Sequence, residues 1–262
     1  MKIRNYIKPT SLDEAYELVA AGGTVIGGGA WLKLMPKTIE SAVDISGLGL
    51  DLIKETDEHI YIGSMATLRT VETSQLLKTY MGGVVCHAAS HIMGVTVRNI
   101  ATVGGSVANR FGFSDLLTSL LAVNATLRFQ HHGTMSLEDF LTSPFSDKDI
   151  LIELILKKDQ GIGVYKSLKK TSTDFPVVNA SVARVGNHYR IAVGARPGVA
   201  RLADKAMAVI NQSDTLTDEV IESAAALVAE ELPFGTNSRG SEAYRAEVAK
   251  VLVERCLMEV RV

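Results

Sequence analysis

Two glycine-rich segments are the parts of this sequence best suited to holding a ligand. They are Val25–Trp31, which contains three consecutive glycines, and Thr102–Ser106. Glycine permits positive φ and lets a ligand approach the backbone without a Cβ clash, and successive amides in such a turn can bind an anion. Neither segment is a Rossmann fingerprint or a P-loop. Together they fit a ligand whose pyrophosphate is held between two small subdomains, although an ordinary tight turn stays an alternative for each.

The remaining reactive side chains do not form a recognisable catalytic or metal site. Cys86, His87 and His91 would share one helical face, because residues 87 and 91 are four apart. A zinc site needs a third and usually a fourth ligand, and no HExxH glutamate is present. No nucleophile elbow with an ordered Ser-His-Asp set appears. We therefore expect no metal and name no catalytic residue.

Composition excludes several classes of protein. The formal charge is −2 over 262 residues, without the concentrated basic surface of a nucleic-acid-binding protein. No run approaches the roughly 18 apolar residues of a membrane span, and the N-terminus lacks the apolar core of a signal peptide, so a cytoplasmic location is expected. Two cysteines cannot supply the four thiolates of an iron–sulfur cluster. Any redox centre should therefore be an organic cofactor, with clusters on another chain.

The elements that position these segments follow from hydrophobic periodicity and capping signals. Helices are predicted after Ser11, over Thr67–Lys78 and Val84–Ile92, from Asp115, from about Thr217, and over Ser241–Val260. Strands are predicted at Thr24–Ile26, Ser41–Ile45, Glu58–Ile62, Ala125–Gln130, Ile150–Lys157, Gly163–Leu168, Val177–Val185 and Tyr189–Gly194. Gly94–Asn109 is predicted to be loop and short strand, and the alternation in Val177–Val185 indicates a half-buried sheet. The order of elements favours an α+β protein of two parts.

A longer motif around the second glycine segment resembles a known family. Val97–Asn109 is similar to the "IRNxxTIGGNxAN" segment of molybdenum hydroxylase flavoproteins, the FAD-binding medium subunits of enzymes such as xanthine dehydrogenase and carbon monoxide dehydrogenase. Ser114–Ala125 looks like the continuation of that segment. Ile26–Leu32 stands where the family has "AGGTDLL", Val43–Ile45 resembles its "LVDI", and Tyr189–Ala195 its C-terminal "xRxALGA" strand.

The resemblance implies a fold and domain boundaries. The fold would be α+β, with a two-subdomain FAD-binding domain of the vanillyl-alcohol-oxidase (PCMH) type and a small C-terminal α+β domain made of an antiparallel sheet with helices. The FAD-binding domain would span residues 1–160, with subdomains of about 1–55 and 56–160, and the C-terminal domain residues 161–262. FAD would lie extended between the two subdomains.

The resemblance also implies cofactor-binding residues. Backbone amides of the first segment would hold the pyrophosphate, Thr102, Gly104, Gly105 and Ser106 would contact phosphate and ribitol, and Asp115 would bind a hydroxyl of FAD. Ile92 would lie on the adenine side, and Leu151 and Lys166 would contact the flavin. The full set of implied positions is Val25, Ile26, Gly27, Gly28, Gly29, Ala30, Trp31, Ile92, Ala101, Thr102, Val103, Gly104, Gly105, Ser106, Asn109, Ser114, Asp115, Leu151 and Lys166.

Some of these positions keep an alternative. Lys166 fits an exposed strand lysine as well as a flavin contact, and Trp31 fits the core as well as the flavin side. Lys169 and Lys170 are predicted to lie on a solvated face. Gly29-Ala30 replaces the polar pair usual in the family, and Ser106 replaces its common Asn, so backbone amides would carry more of the pyrophosphate contact and FAD would bind more weakly. The segment Leu168–Asp174 would correspond to a mobile loop beside the flavin.

The resemblance implies an electron-transfer subunit. A molybdopterin-binding large subunit would oxidise the substrate, a 2Fe-2S small subunit would relay electrons, and FAD on this chain would pass them to NAD⁺ or another acceptor. An alternative of a different class is a non-redox scaffold or assembly subunit that kept the fold and binds FAD weakly. A free-standing flavin reductase or oxidase is a third hypothesis.

Overall fold

The computed structural model describes residues 1–144 and 148–261. Its strands are β1 (Lys2–Ile7), β2 (Thr24–Ile26), β3 (Thr38–Asp44), β4 (Ile53–Glu55), β5 (His59–Gly63), β6 (Thr126–Phe129), β7 (Gly133–Ser136), β8 (Leu151–Lys157), β9 (Gly161–Lys169), β10 (Pro176–Val185), β11 (His188–Gly194) and β12 (Arg201–Leu202). Its helices are α1 (Leu12–Ala20), α2 (Leu68–Thr73), α3 (Gln75–Thr79), α4 (Val84–Ser90), α5 (Val95–Arg98), α6 (Val103–Ala108), α7 (Asp115–Ala122), α8 (Leu137–Thr142), α9 (Asp204–Asn211), α10 (Asp218–Glu231) and α11 (Glu242–Val260). Short 3₁₀ helices lie at Leu32–Leu34 and Tyr80–Gly83. None of the helices described is both long enough and apolar enough to cross a membrane.

These elements form two compact units, and each unit combines segments that are separated in the sequence. The first unit contains Met1–Val71, Gly94–Asn109 and Ala125–Lys158. The second contains Glu72–Met93, Arg110–Asn124 and the chain from Asp159 onward. Two helical segments from the first 160 residues thus belong with the C-terminal sheet, because α4 packs against β9 and α7 packs against β10 and β11. The division at residue 160 into sequence domains stays a prediction.

The first unit contains a parallel sheet and an antiparallel sheet. The parallel sheet has the order β1-β3-β2, and the antiparallel sheet the order β4-β5-β8-β6-β7. Ile26 at the end of β2 is in register with Asp44 at the end of β3. Since parallel strands end at the same edge of a sheet, the first glycine segment leaves from the edge where Asp44 lies. The Tyr6 hydroxyl donates a hydrogen bond to the Asp44 carboxylate at that edge.

Capping and apolar burial hold the first unit together. Ser11 accepts a hydrogen bond from the Glu14 amide and begins α1, as the sequence predicts. The Glu14 carboxylate accepts hydrogen bonds from the amide and the hydroxyl of Thr10, which precedes the cap residue. Apolar side chains from α1, β3 and the start of β8 share one core, formed by Ala15, Val19, Val43, Ile45, Leu50, Ile150 and Ile152.

The second unit is an antiparallel sheet of order β12-β11-β10-β9 with helices against it. The sequence pattern predicts β10 to be half-buried, and this is wrong, because the strand is buried from Pro176 to Ala183. Val178 and Val182 pack into the core that includes α10 and α11. On the alternate positions, the Thr118 hydroxyl of α7 donates to Asn179 Oδ1 at 2.8 Å. Asn179 therefore has a partner on α7 although that face is covered, and the Ser181 hydroxyl donates to the Val164 carbonyl oxygen of β9 at 3.0 Å.

Other elements also differ from the sequence-based prediction. Gly94–Asn109 is predicted as loop and strand, but it forms α5 and α6. The single helix predicted over Thr67–Lys78 is two helices, because Ser74 accepts from the Leu77 amide and starts α3. Helices α8 and α9 are not among the elements predicted from the sequence. These departures concern short helices, whose stability comes mainly from tertiary packing.

Candidate functional site

The two glycine segments lie against each other in the first unit. A Cβ on Gly28 would lie 1.3 Å from the Ile100 carbonyl oxygen, and one on Gly27 would lie 2.6 Å from Thr102 Oγ1. Real Cβ atoms do not approach heavy atoms so closely, so only glycine fits at both positions. The sequence left open whether each segment is an isolated turn, and the structure brings them together.

The first segment presents unused backbone donors. Within the described residues, the amides of Gly28 and Gly29 donate no hydrogen bond. Gly29 has φ +67°, and no atom lies within 4 Å of the position that its Cβ would take. Ala30 and Trp31 follow and are half-buried, with Trp31 leading into the 3₁₀ helix at Leu32–Leu34. Val25 and Ile26 are half-buried on β2. Open space beside unpaired amides is what an anionic group requires.

The second segment is the first turn of a helix, although its glycines predict a loop. Thr102 precedes α6, and its hydroxyl accepts from the Gly105 amide. The other amides of this turn are also engaged: Val103 N donates to Ala66 O, Gly104 N to Ser64 O, and Ser106 N to Thr102 O. Anion binding by free amides therefore belongs to the first segment.

Small residues make the backbone of α6 accessible. Gly105 is exposed, and Gly104 is half-buried with its Cα against Ser64, where a Cβ would lie 2.8 Å from the Ser64 carbonyl oxygen. The Ser64 hydroxyl is buried and has no hydrogen-bond partner among the described residues. The Ser106 hydroxyl donates to Thr102 O at 2.9 Å. An extended ligand can therefore lie close to the main chain of this segment.

Three further predicted positions lie in the first unit. Ala101 directly precedes the cap residue Thr102, and its carbonyl accepts from the Leu68 amide at 2.8 Å. The Asn109 side chain donates to Gly105 O at 2.6 Å from the end of α6. Leu151 is the buried first residue of β8. None of these three residues carries a charge. They therefore affect the shape of the first unit more than its electrostatic potential.

The other predicted positions belong to the second unit. Ile92 is half-buried just after α4, Ser114 caps α7 by accepting from the Leu117 amide, and Asp115 opens that helix. Asp115, expected to bind a flavin-side hydroxyl or the adenosine portion of FAD, is only 3% exposed. The Tyr165 hydroxyl donates a hydrogen bond to its carboxylate, and Lys169 Nζ lies 3.2 Å from Oδ2. Burial raises the pKa of the Asp115 carboxyl, and Lys169 and Tyr165 oppose that rise.

The two lysines of β9 occupy different environments. Lys166 Nζ lies 2.5 Å from a carboxylate oxygen of Glu259 on α11, so this lysine has an acidic partner within its own unit. Lys169, predicted on a solvated face together with Lys170, is instead buried, while Lys170 is exposed. Alternate residues of a strand share one face, so Tyr165, Ser167 and Lys169 lie on the same side of β9. Because Tyr165 is buried, this alternation is the sequence signal that could have indicated a buried Lys169.

The histidine pair contacts its own unit and offers too few ligands for a metal. His87 Nε2 and His91 Nε2 are 3.2 Å apart, and His91 Nδ1 lies 3.2 Å from the Ser167 hydroxyl. The described part of the chain contains no group of three or more metal-binding side chains. Cys86 and Cys256 are both buried, and neither forms a disulfide.

Comparison with known proteins places this geometry in a family. The family model for the FAD binding domain in molybdopterin dehydrogenase matches residues 1–157, and that for the CO dehydrogenase flavoprotein C-terminal domain matches residues 163–260. The glyceraldehyde dehydrogenase medium chain of Sulfolobus acidocaldarius is 26% identical, with 98% of each chain covered. The nicotine 6-hydroxylase medium subunit of Paenarthrobacter nicotinovorans is 26% identical, covering 97% of this chain and 96% of that protein.

Solved structures show the same fold. A carbon monoxide dehydrogenase from Hydrogenophaga pseudoflava, which lacks the Mo-pyranopterin moiety of its cofactor, superimposes with a TM-score of 0.91 at 23% identity, covering 99% of this chain and 97% of that one. Quinoline 2-oxidoreductase from Pseudomonas putida 86 superimposes with a TM-score of 0.88 at 21% identity, covering 98% and 96%. The predicted α+β fold class is confirmed.

The residues of this chain fit the cofactor that its family binds. Free amides at Gly28 and Gly29, open space at Gly29 and the accessible backbone of α6 suit a pyrophosphate-containing ligand. The resemblance carried by Val97–Asn109 is likewise confirmed by the family match. The chain therefore belongs to the family of FAD-binding subunits of molybdopterin dehydrogenases, with a C-terminal domain of the CO dehydrogenase flavoprotein type, and it is an oxidoreductase subunit with FAD as its cofactor.

Proposed function

We propose that this chain passes electrons from iron–sulfur clusters on a partner chain, through FAD, to NAD⁺ or another acceptor. The observation that supports this most is the pair of unused amides at Gly28 and Gly29 beside the helix that begins after Thr102. When bound, FAD supplies the ability to exchange electrons both singly and in pairs. The chain itself binds the cofactor, orients it and sets its surroundings.

Each predicted residue has a role in this proposal. The amides of Gly28 and Gly29 bind the pyrophosphate, and the segment Thr102–Ser106 contacts phosphate and ribitol through its accessible backbone. Asp115 accepts a hydrogen bond from a hydroxyl of FAD. Ile92 packs on the adenine side, and the flavin contacts come from Leu151 and Lys166. The remaining positions that we propose as cofactor-binding are Val25, Ile26, Gly27, Ala30, Trp31, Ala101, Val103, Asn109 and Ser114.

The names of the relatives support a multi-chain enzyme. Glyceraldehyde dehydrogenase and nicotine 6-hydroxylase each have a medium chain or subunit of this length. By analogy, we propose a molybdopterin-binding large subunit and a 2Fe-2S small subunit as partners, since this chain has two cysteines, both of them buried. A FAD-binding domain over residues 1–160, a C-terminal domain over 161–262 and a cytoplasmic location complete the proposal.

The scaffold hypothesis has one specific observation in its favour. Gly29 and Ala30 offer no polar side chain at the first segment, and no protein atom comes near the Cβ position of Gly29. A subunit that kept the fold with weaker FAD binding would have such a segment. This alternative predicts that the chain assembles with partner chains whether or not FAD is bound.

FAD titration followed by anaerobic reduction separates these hypotheses. The purified chain, alone and with co-expressed partner chains, is mixed with FAD and washed, and the bound flavin is measured by absorbance. We expect stoichiometric binding, and loss of the oxidised-flavin absorbance when NADH is added without oxygen. A control variant, Lys205→Met, changes an exposed lysine of α9 and should behave as the wild type does. A chain that assembles with partners but retains no FAD would support the scaffold hypothesis instead.

A further inference from the structure

Lys169 is an unusually buried cation at the end of β9. Its side chain is 7% exposed and that of Asp115 is 4% exposed, and the two form an ion pair with an N–O distance of 3.2 Å. Lys169 Nζ also donates to the His91 carbonyl oxygen at 2.5 Å. One ammonium thus joins the first residue of α7 to the chain just after α4. His91 is followed directly by Ile92, so both elements carry a position proposed to contact FAD.

The charge on Lys169 determines what kind of hydrogen bond Asp115 can make. An ionised carboxylate only accepts hydrogen bonds, whereas a protonated one also donates. A ligand hydroxyl that donates to Asp115 needs the ionised form. Burial without a nearby cation favours the protonated form of a carboxyl group, and Lys169 is the cation that forms an ion pair with this one.

We propose that Lys169 is a positioning residue for FAD: it favours the ionised form of Asp115 and holds it, with the His91–Ile92 backbone, in the arrangement that accepts a hydroxyl of the cofactor. This inference rests on the proposed function. It assigns this positioning role to Lys169, whereas Lys166 pairs with Glu259. Lys169 acts through Asp115 and the backbone, without itself contacting the reacting atoms.

Lys169 forms an ion pair with Asp115, and the other groups near this carboxylate interact with it differently. From β9, the Tyr165 hydroxyl donates to the carboxylate, and from β10, Asn179 favours its ionised form. From α4, the His87 and His91 rings lie edge-on to the Tyr165 ring, at centroid distances of 6.1 Å and 5.5 Å. Tyr165 and Asn179 are neutral donors, so neither replaces the positive charge of Lys169.

The test measures the ionisation of Asp115 and FAD affinity in the same variants. The full chain is compared as wild type, Lys169→Met, Lys169→Arg and the exposed control Lys205→Met on α9. Carboxyl-carbon NMR, with Asp115→Asn for assignment, gives the midpoint of Asp115, and fluorescence titration gives the FAD dissociation constant from pH 5.5 to 8.5. In Lys169→Met we expect the midpoint to rise by about one to three pH units. We also expect FAD to bind about tenfold more weakly at neutral pH, with affinity recovering as pH rises.

Further variants make the result decisive. Lys169→Arg keeps the charge and should restore most of the affinity, and Lys205→Met should stay within about twofold of wild type because Lys205 is exposed on α9. If Lys169→Met does not fold, the double variant Asp115→Asn with Lys169→Met removes both charges, and its FAD affinity should be weak and independent of pH.

The possible failures are distinguishable. A wild-type chain that takes up no FAD overturns the proposed function. A wild-type chain that binds FAD, with a Lys169→Met variant of unchanged affinity or unchanged Asp115 midpoint, overturns only the role of Lys169. A double variant that binds FAD as tightly as the wild type also overturns it.

Discussion

At Gly28 the fold leaves no room for a side chain. The position that a Cβ would take lies 1.3 Å from the Ile100 carbonyl oxygen, which is main chain and cannot rotate away. At Gly29 the space is open and only the left-handed conformation, φ +67°, restricts the residue. These neighbouring glycines are therefore required for different reasons, one for packing and the other for backbone conformation.

Alanine substitutions at the two positions should separate these reasons. We expect Gly28→Ala to lower the free energy of unfolding by about 3 kcal/mol, because the contact with Ile100 must break, and to weaken FAD binding with it. Gly29→Ala should lower it by only about 1 kcal/mol, the cost of a left-handed alanine. Urea denaturation of both variants measures the difference. Equal losses would contradict the close approach of Gly28 to Ile100.

At the scale of elements, α6 depends on its cap more than on the propensity of its residues. It contains Gly104 and Gly105, which disfavour helix, yet it forms because the Thr102 hydroxyl accepts from the Gly105 amide and the Val103 and Gly104 amides donate to Ala66 and Ser64. The two glycines allow close packing and an accessible backbone. This explains why a segment rich in glycine, predicted as loop, is helical.

Removal of the cap should therefore destabilise the first unit. Thr102→Ala is expected to lower the free energy of unfolding by about 1 kcal/mol and to weaken FAD binding, because the Thr102 hydroxyl also lies beside Gly27. Thr102→Ser keeps the hydroxyl and is the matched control. Denaturant unfolding and FAD titration give both quantities. Two variants that behave alike would show that the hydroxyl does not support this helix.

At the scale of the whole molecule, the buried thiols make the free energy of unfolding depend on pH in the alkaline range. Burial raises the pKa of Cys256 from its ordinary value of 9.0 to about 12, and that of Cys86 to about 11. Both folded pKa values lie above the unfolded ones, so the unfolded chain releases these protons first. The contribution of these thiols to stability is complete below about pH 9 and is lost as pH rises toward the folded pKa values.

Removal of one thiol should reduce the change of unfolding free energy with pH. At pH 10 the ionisation of Cys256 in the unfolded chain should cost the wild type about 1 kcal/mol relative to pH 8. Cys256→Ala loses packing at every pH but should lose less additional stability between pH 8 and pH 10. Unfolding free energies at the two pH values measure this difference. A slope equal to that of the wild type would exclude Cys256 as a source of the pH dependence.

The sequence by itself determined the long and regular elements and the family. Strong periodicity and capping residues placed α1, α7, α10 and α11, and the motif at Val97–Asn109 carried the resemblance that the family match confirms. These signals are local, since a cap hydroxyl and an amphipathic face act within a few residues. The two glycine-rich segments were identified for the same reason.

Only the tertiary structure decided which residues meet. It packs the main chain of Gly28 against Ile100, and it engages the amides of the second segment so that the first segment keeps the free ones. It also covers both faces of β10 and buries Lys169 beside Asp115. Each of these outcomes depends on a contact between residues far apart in the chain, and neither periodicity nor residue type contains the distance between such residues.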